Sequence, residues 1–89
     1  MEFEWDSEKR SLNLGKHGLD FRDAHRLFDG RPLYTYPSPR DGEVRFVSVG
    51  LVEHRLIAVV WLQRERVTRI ISMRRARDGE KRAYRALLG

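Results

Sequence analysis

Residues 43–52 (EVRFVSVGLV), 55–63 (RLIAVVWLQ) and 67–74 (VTRIISMR), joined by Glu53-His54 and Arg64-Glu65-Arg66, decide the fold. Each run is rich in β-branched and apolar side chains, and each joint is too short for anything but a tight turn. That is the pattern of an antiparallel meander. Just upstream, residues 33–36 read as a further strand, set off by the loop Pro37-Ser38-Pro39-Arg40-Asp41-Gly42. Further back the period changes to helical. Asp6 is a good N-cap for a helix over residues 7–17 that Gly18 closes, with Lys16 and His17 in its last turn, where the dipole favours cations. Asp20 caps a second helix with Phe21, Ala24, Leu27 and Phe28 on one face, and Asp29-Gly30-Arg31-Pro32 stops it. Phe3-Glu4-Trp5 alternates like a short first strand. Asp78 is placed to cap a last helix striped by Ala83, Tyr84, Leu87 and Leu88. The expected architecture is an α+β domain. It has an antiparallel sheet of about four strands, with two N-terminal helices and one C-terminal helix packed on one face.

A chain of 89 residues is read as a single domain, 1–89, because one core serves up to about 100–150 residues. Its core is thin, and domains of this size often need a disulfide, a metal or a partner. Without cysteine, disulfides and thiolate zinc sites are excluded. The longest apolar run, residues 56–62, is a strand rather than a membrane span. The acidic start, Met1-Glu2-Phe3-Glu4-Trp5-Asp6, is unlike a signal peptide. The expected location is therefore the cytoplasm, with no membrane partner.

Charge is unevenly divided. Residues 1–43 carry seven Lys/Arg against nine Asp/Glu, a net −2; residues 44–89 carry eleven against four, a net +7. Fifteen of the eighteen basic residues are Arg, whose planar fork grips phosphate bidentately. A basic, Arg-rich half is the footprint of a polyanionic partner.

The chemistry available is restricted. His17, His25 and His54 lie on different elements without metal-ligand spacing, so no metal and no cofactor is expected. No P-loop, GxSxG or GxGxxG is present. Arg, His, Lys and Glu suit one reaction well, because RNA carries its own nucleophile, the 2′-OH. An enzyme then needs only to position that hydroxyl, take its proton, stabilise charge on phosphorus and protonate the leaving 5′ oxygen. Trp5 and Trp61 read as core, and Ser48 and Ser72 as ordinary strand residues.

Three ordered blocks resemble a known family. Phe3-Glu4-Trp5-Asp6, Lys9, Asn13, Lys16-His17-Gly18, Phe21 and Ala24 look like the opening signature of BrnT toxins. Glu43-x-Arg45 with Gly50 is similar to the second block. Arg69-Ile70-Ile71-Ser72-x-Arg74-x-Ala76, with Glu80 and Tyr84, is similar to the third. Met73 and Gly79 depart from the pattern. The resemblance implies a RelE-like fold and endoribonuclease activity. It also implies a cognate BrnA-like antitoxin with a ribbon-helix-helix DNA-binding domain, so that DNA is met only indirectly.

The same resemblance points to Lys16, His17, Glu43, Arg45, Arg69 and Arg74 as the site. In the roles expected here, Arg69 and Arg74 bind the scissile phosphate, Glu43 or His17 moves protons, and Lys16 and Arg45 hold the flanking backbone. Blander readings stand beside these. Lys16 and His17 also suit the end of a helix, and Glu43 and Arg45, two apart on one strand, also suit an ion pair. Arg69 and Arg74 are an odd number of residues apart, so reaching one phosphate requires a bulge or a strand end between them. As substrate ligands, both arginines are expected to be dispensable for folding. The rival readings are a module that holds nucleic acid without cutting it and a protein-interaction domain.

Overall fold

In the computed structural model, which describes residues 1–89, eight elements follow one another. They are β1 (Glu2–Glu4), α1 (Ser7–His17), a 3₁₀ helix (Phe21–Arg26), β2 (Tyr34–Pro37), β3 (Phe46–Val52), β4 (Arg55–Arg64), β5 (Val67–Arg75) and α2 (Asp78–Leu88). The apolar runs form the centre of the sheet, β3, β4 and β5 pairing antiparallel in sequence order with β2 antiparallel outside β3. Glu53 and His54 both have positive φ, 50° and 68°, the turn that matches strand twist in a two-residue hairpin.

Two expectations need correction. The sheet has five strands, not four, and is mixed: its order is β1-β5-β4-β3-β2, with β1 parallel to β5. Parallel neighbours need a crossover, and here nearly the whole chain supplies it, so nothing local to Phe3-Glu4-Trp5 announces the partner. The helical elements also cover both faces rather than one. Phe21, Ala24 and Leu27 pack on Ile57, Val59, Ile70 and Met73. On the other face Val47, Val49, Ala58 and Ala76 meet Tyr34, Tyr36 and Tyr84, the last from α2. Ala58 alternates with Ile57 and Val59 along β4, so one strand feeds two cores.

Local signals explain the helices. The Asp6 carboxylate accepts from the amides of Glu8 and Lys9 at 2.9 and 3.0 Å, and Gly18 ends α1 at φ 70°. Asp20 caps the second element as expected, but that element is a six-residue 3₁₀ helix. Its buried positions Phe21 and Ala24, with Leu27 at its C-cap, recur every three residues, the period of a 3₁₀ turn. In α2, Arg77 and not Asp78 is the N-cap.

Two contacts set the layers against each other. A β-carbon on Gly50 would lie 2.6 Å from Leu33 Cδ2 and 2.8 Å from Leu27 Cδ1, so only glycine lets those leucines settle on β3. Asn13 ties α1 to β5. Its side-chain amide donates to the carbonyls of Met73 and Leu19 at 2.8 and 3.1 Å, and its Oδ1 accepts the Met73 amide at 3.2 Å. β1 covers only residues 67–69 of β5, and beyond it Asn13 does for Met73 what a neighbouring strand would do. Trp61 is partly buried against the core: it packs on Phe28 and Phe46 and donates to Ser48 Oγ at 2.8 Å. No helix is long and apolar enough to cross a membrane.

Candidate functional site

A register shift in β5 prepares the site. Trp61 faces Ile70, yet Val60 faces Ser72, so Ile71 is left over as a bulge. The extra residue restores phase: Arg69 lies opposite Leu62 and Arg74 opposite Ala58, four apart on β4 and therefore on one face of the sheet. Sharing a face does not bring the two arginines to one place. Arg69 Nη1 sits 3.5 Å from Glu4 of β1. Arg74 lies further along, beside α2.

A cleft of about 450 Å³ opens where α1, the β2–β3 connection, the bulge and the start of α2 meet. Its wall includes Lys16 and His17 from α1, Arg40 and Arg45 from the connection, Arg74 from β5 and Arg77 at the cap of α2. Tyr36, Ser38, Val47, Val60, Ile71 and Ser72 complete the polar and apolar lining. Four of the expected site residues, Lys16, His17, Arg45 and Arg74, are thus gathered. Arg69 and Glu43 do not line the cleft. Glu43 and Arg45 precede β3 and do not lie on a strand together as expected, although they do pair, with Arg45 Nε 2.7 Å from Glu43 Oε1.

Arg40 is not among the residues expected from the sequence, though a local signal for it is present. Asp41-Gly42 is a hairpin dipeptide. Asp41 and Gly42 sit at φ 52° and 76°, and the backbones of Arg40 and Glu43 exchange bonds of 3.0 and 2.9 Å across them. This small hairpin turns Arg40 and Arg45 into the cleft. Tyr36, Arg77 and Glu80 were also missed as site residues. They meet only because β2 and α2 pack together, which no short sequence window shows.

Arg74 is deeply engaged. Its Nη1 and Nη2 donate to Glu80 Oε1 and Oε2 at 2.7 and 3.0 Å, a two-pronged pair. Glu80 also accepts the Tyr36 hydroxyl and, at 2.8 Å, the Arg77 amide. Its side chain is only 7% exposed and that of Arg74 13%. Burial pushes the Glu80 carboxyl upward, but Arg74, the Arg77 amide and Tyr36 outweigh it and hold the group at about 2. The same pairing raises Arg74, and burial beside Glu80 raises Tyr36. Arg74 is therefore bonded within the fold as well as lining the cleft, a placement that sets the expectation of indifferent folding against a buried ion pair.

The electrostatics are one-signed. Five cationic side chains line the cleft and no carboxylate does. Arg45 and Arg74 have acidic partners behind them, whereas Lys16, Arg40 and Arg77 have none within ion-pair distance. Such a wall attracts and holds anionic oxygens. His17 is the one imidazole among the side chains of the wall.

The family model for BrnT, the ribonuclease toxin of type II toxin-antitoxin systems, matches residues 5–80. The chain belongs to this family. The matched span contains every cleft-lining residue from Lys16 to Arg77 and the buried Glu80 behind them. Membership of the BrnT family brings with it an RNA substrate and an antitoxin partner. No curated protein matches the chain.

Proposed function

We propose that this chain is a metal-independent endoribonuclease that cuts RNA by 2′-OH attack in the cleft between Lys16 and Arg77. The observation that carries the reading is that five cations and His17 line one cleft with no carboxylate in its wall. His17 takes the 2′ proton, and the 2′ oxygen bonds to phosphorus. The bond from phosphorus to the 5′ oxygen breaks, and that oxygen collects a proton from water. Arg40 and Arg45 meet the charge that gathers on the phosphoryl oxygens, the kind of stabilisation that dominates such reactions. Lys16 and Arg77 hold the neighbouring phosphates. Arg74 sets the floor and the local field.

Glu43 acts through Arg45 as a positioning residue, and Arg69, on the same sheet face, extends the cationic track along the RNA. In this reading the substrate's own 2′-hydroxyl supplies the nucleophile. We read the fold as RelE-like, on the strength of the β2–β5 meander behind an N-terminal helical pair. The regulator is a BrnA-like antitoxin with a ribbon-helix-helix domain, which carries any contact with DNA. The working location is the cytoplasm.

Incubation of the purified protein with RNA in excess EDTA tests the reading. The expected products carry 2′,3′-cyclic phosphate and 5′-hydroxyl ends. Activity that vanishes on chelation and returns with magnesium would refute the metal-free mechanism. Tight RNA binding without any cleavage would leave a binding module instead.

A further inference from the structure

A second basic hollow lies away from the cleft, at the far end of α2. It measures about 440 Å³ and is walled by Arg55, Arg75, Lys81 and Arg85 around Leu56 and Tyr84. A smaller hollow of about 190 Å³, walled largely by Leu27, Leu33, Leu51 and Leu88, adjoins it. Leu51 and Tyr84 border both, so the two form one groove between the β3–β4 hairpin and α2. Its apolar wall is open to water: Leu51 is 38% and Leu88 39% exposed, and Leu87 nearby is 66% exposed. Leu87 and Leu88 are the C-terminal part of the apolar stripe of α2, and the fold leaves them uncovered. No Asp or Glu lines either hollow. Arg55, Arg75, Lys81 and Arg85 have no acidic partner within ion-pair distance.

We infer that this groove is the anchoring site for an acidic amphipathic segment of the antitoxin. The inference rests on the antitoxin-restrained ribonuclease reading above. Aliphatic side chains on the floor call for apolar side chains in the occupant, and the unpaired cations of the rim call for carboxylates. A second copy of this chain fits poorly, because a symmetric contact would press two faces of the same sign together. Nucleic acid satisfies the rim but not the leucines. An antitoxin seated here adds contact area outside the catalytic cleft, so tight binding need not depend on mimicking RNA.

Two double variants test this, each made of residues outside the cleft: Leu51→Glu with Leu88→Glu, and Lys81→Glu with Arg85→Glu. Their affinity for the purified cognate antitoxin is compared by calorimetry with that of the parent toxin. Each pair is expected to weaken binding by about 100-fold, roughly a factor of ten per lost contact. Melting curves and RNA cleavage by the free toxin should stay at parent levels. Affinity within threefold of the parent for both pairs would overturn the inference. So would a parent toxin that dimerises and becomes monomeric in the variants, or variants whose RNA affinity falls while antitoxin binding holds. Absence of cleavage by the free parent would strike the ribonuclease reading and not this one, since the calorimetric comparison is read independently.

Discussion

Arg74→Ala is expected to cost about 3–5 kcal/mol of stability, the scale for breaking a buried ion pair from one side. Small domains have only about 5–15 kcal/mol in hand, so much of this variant should be unfolded near physiological temperature. The cause is Glu80. With Arg74 gone, a carboxylate that is 7% exposed keeps only the Tyr36 hydroxyl and the Arg77 amide. Arg74→Lys restores one charge but not the two-pronged geometry, and should recover part of the loss. Urea unfolding gives the answer directly. An Arg74→Ala midpoint equal to that of the parent would show that the pair contributes nothing and would return Arg74 to a purely substrate role.

The same network gives acid sensitivity of known sign. Glu80 is held at about 2, against 4.5 for an unperturbed glutamate. A depressed carboxylate contributes its stability in full above its unfolded value and loses it as pH falls. Stability should therefore decline between pH 4.5 and about 2. Asp20, held low by its bond to Arg10, adds to the loss in the same acid region. In Glu80→Gln the decline should be shallower, and the difference between the two curves isolates the contribution of Glu80.

His17→Ala is expected to lower the cleavage rate by about 10²–10⁴, the range for losing a proton-transfer group. Stability should change little, because the imidazole makes no hydrogen bond within the protein and at most balances the end of the α1 dipole. Imidazole added to the buffer should restore part of the rate, a response that a merely structural role would not produce. Single-turnover cleavage of a labelled RNA measures both effects. A rate within threefold of the parent would remove His17 from the chemistry.

Much of this architecture is legible residue by residue, and the rest is not, for identifiable reasons. Asp6, Gly18 and Asp20 act within their own turn, so their roles are visible locally. The strands over residues 46–75 announce themselves because each alternates or runs apolar between short turns. β1 is different, since three residues at one end of the chain pair with β5 near the other and no local rule links them. The bulge at Ile71 was visible only as a geometric requirement on Arg69 and Arg74. It does exist, yet Arg69 goes to Glu4 because β1 docks there. The gathering of Tyr36, Arg74, Arg77 and Glu80 depends on α2 folding back on β2, a tertiary event that charge counting shows only as a basic half.

The most direct test of the account is cleavage, in EDTA, of an RNA carrying a single 2′-deoxy nucleotide at a mapped cut site. If the substrate's own hydroxyl is the nucleophile that His17 and the cationic cleft serve, cutting at that position stops while other sites are cut as before. Continued cutting at the deoxy position would contradict the account, because the attack on phosphorus would then come from water or from the protein.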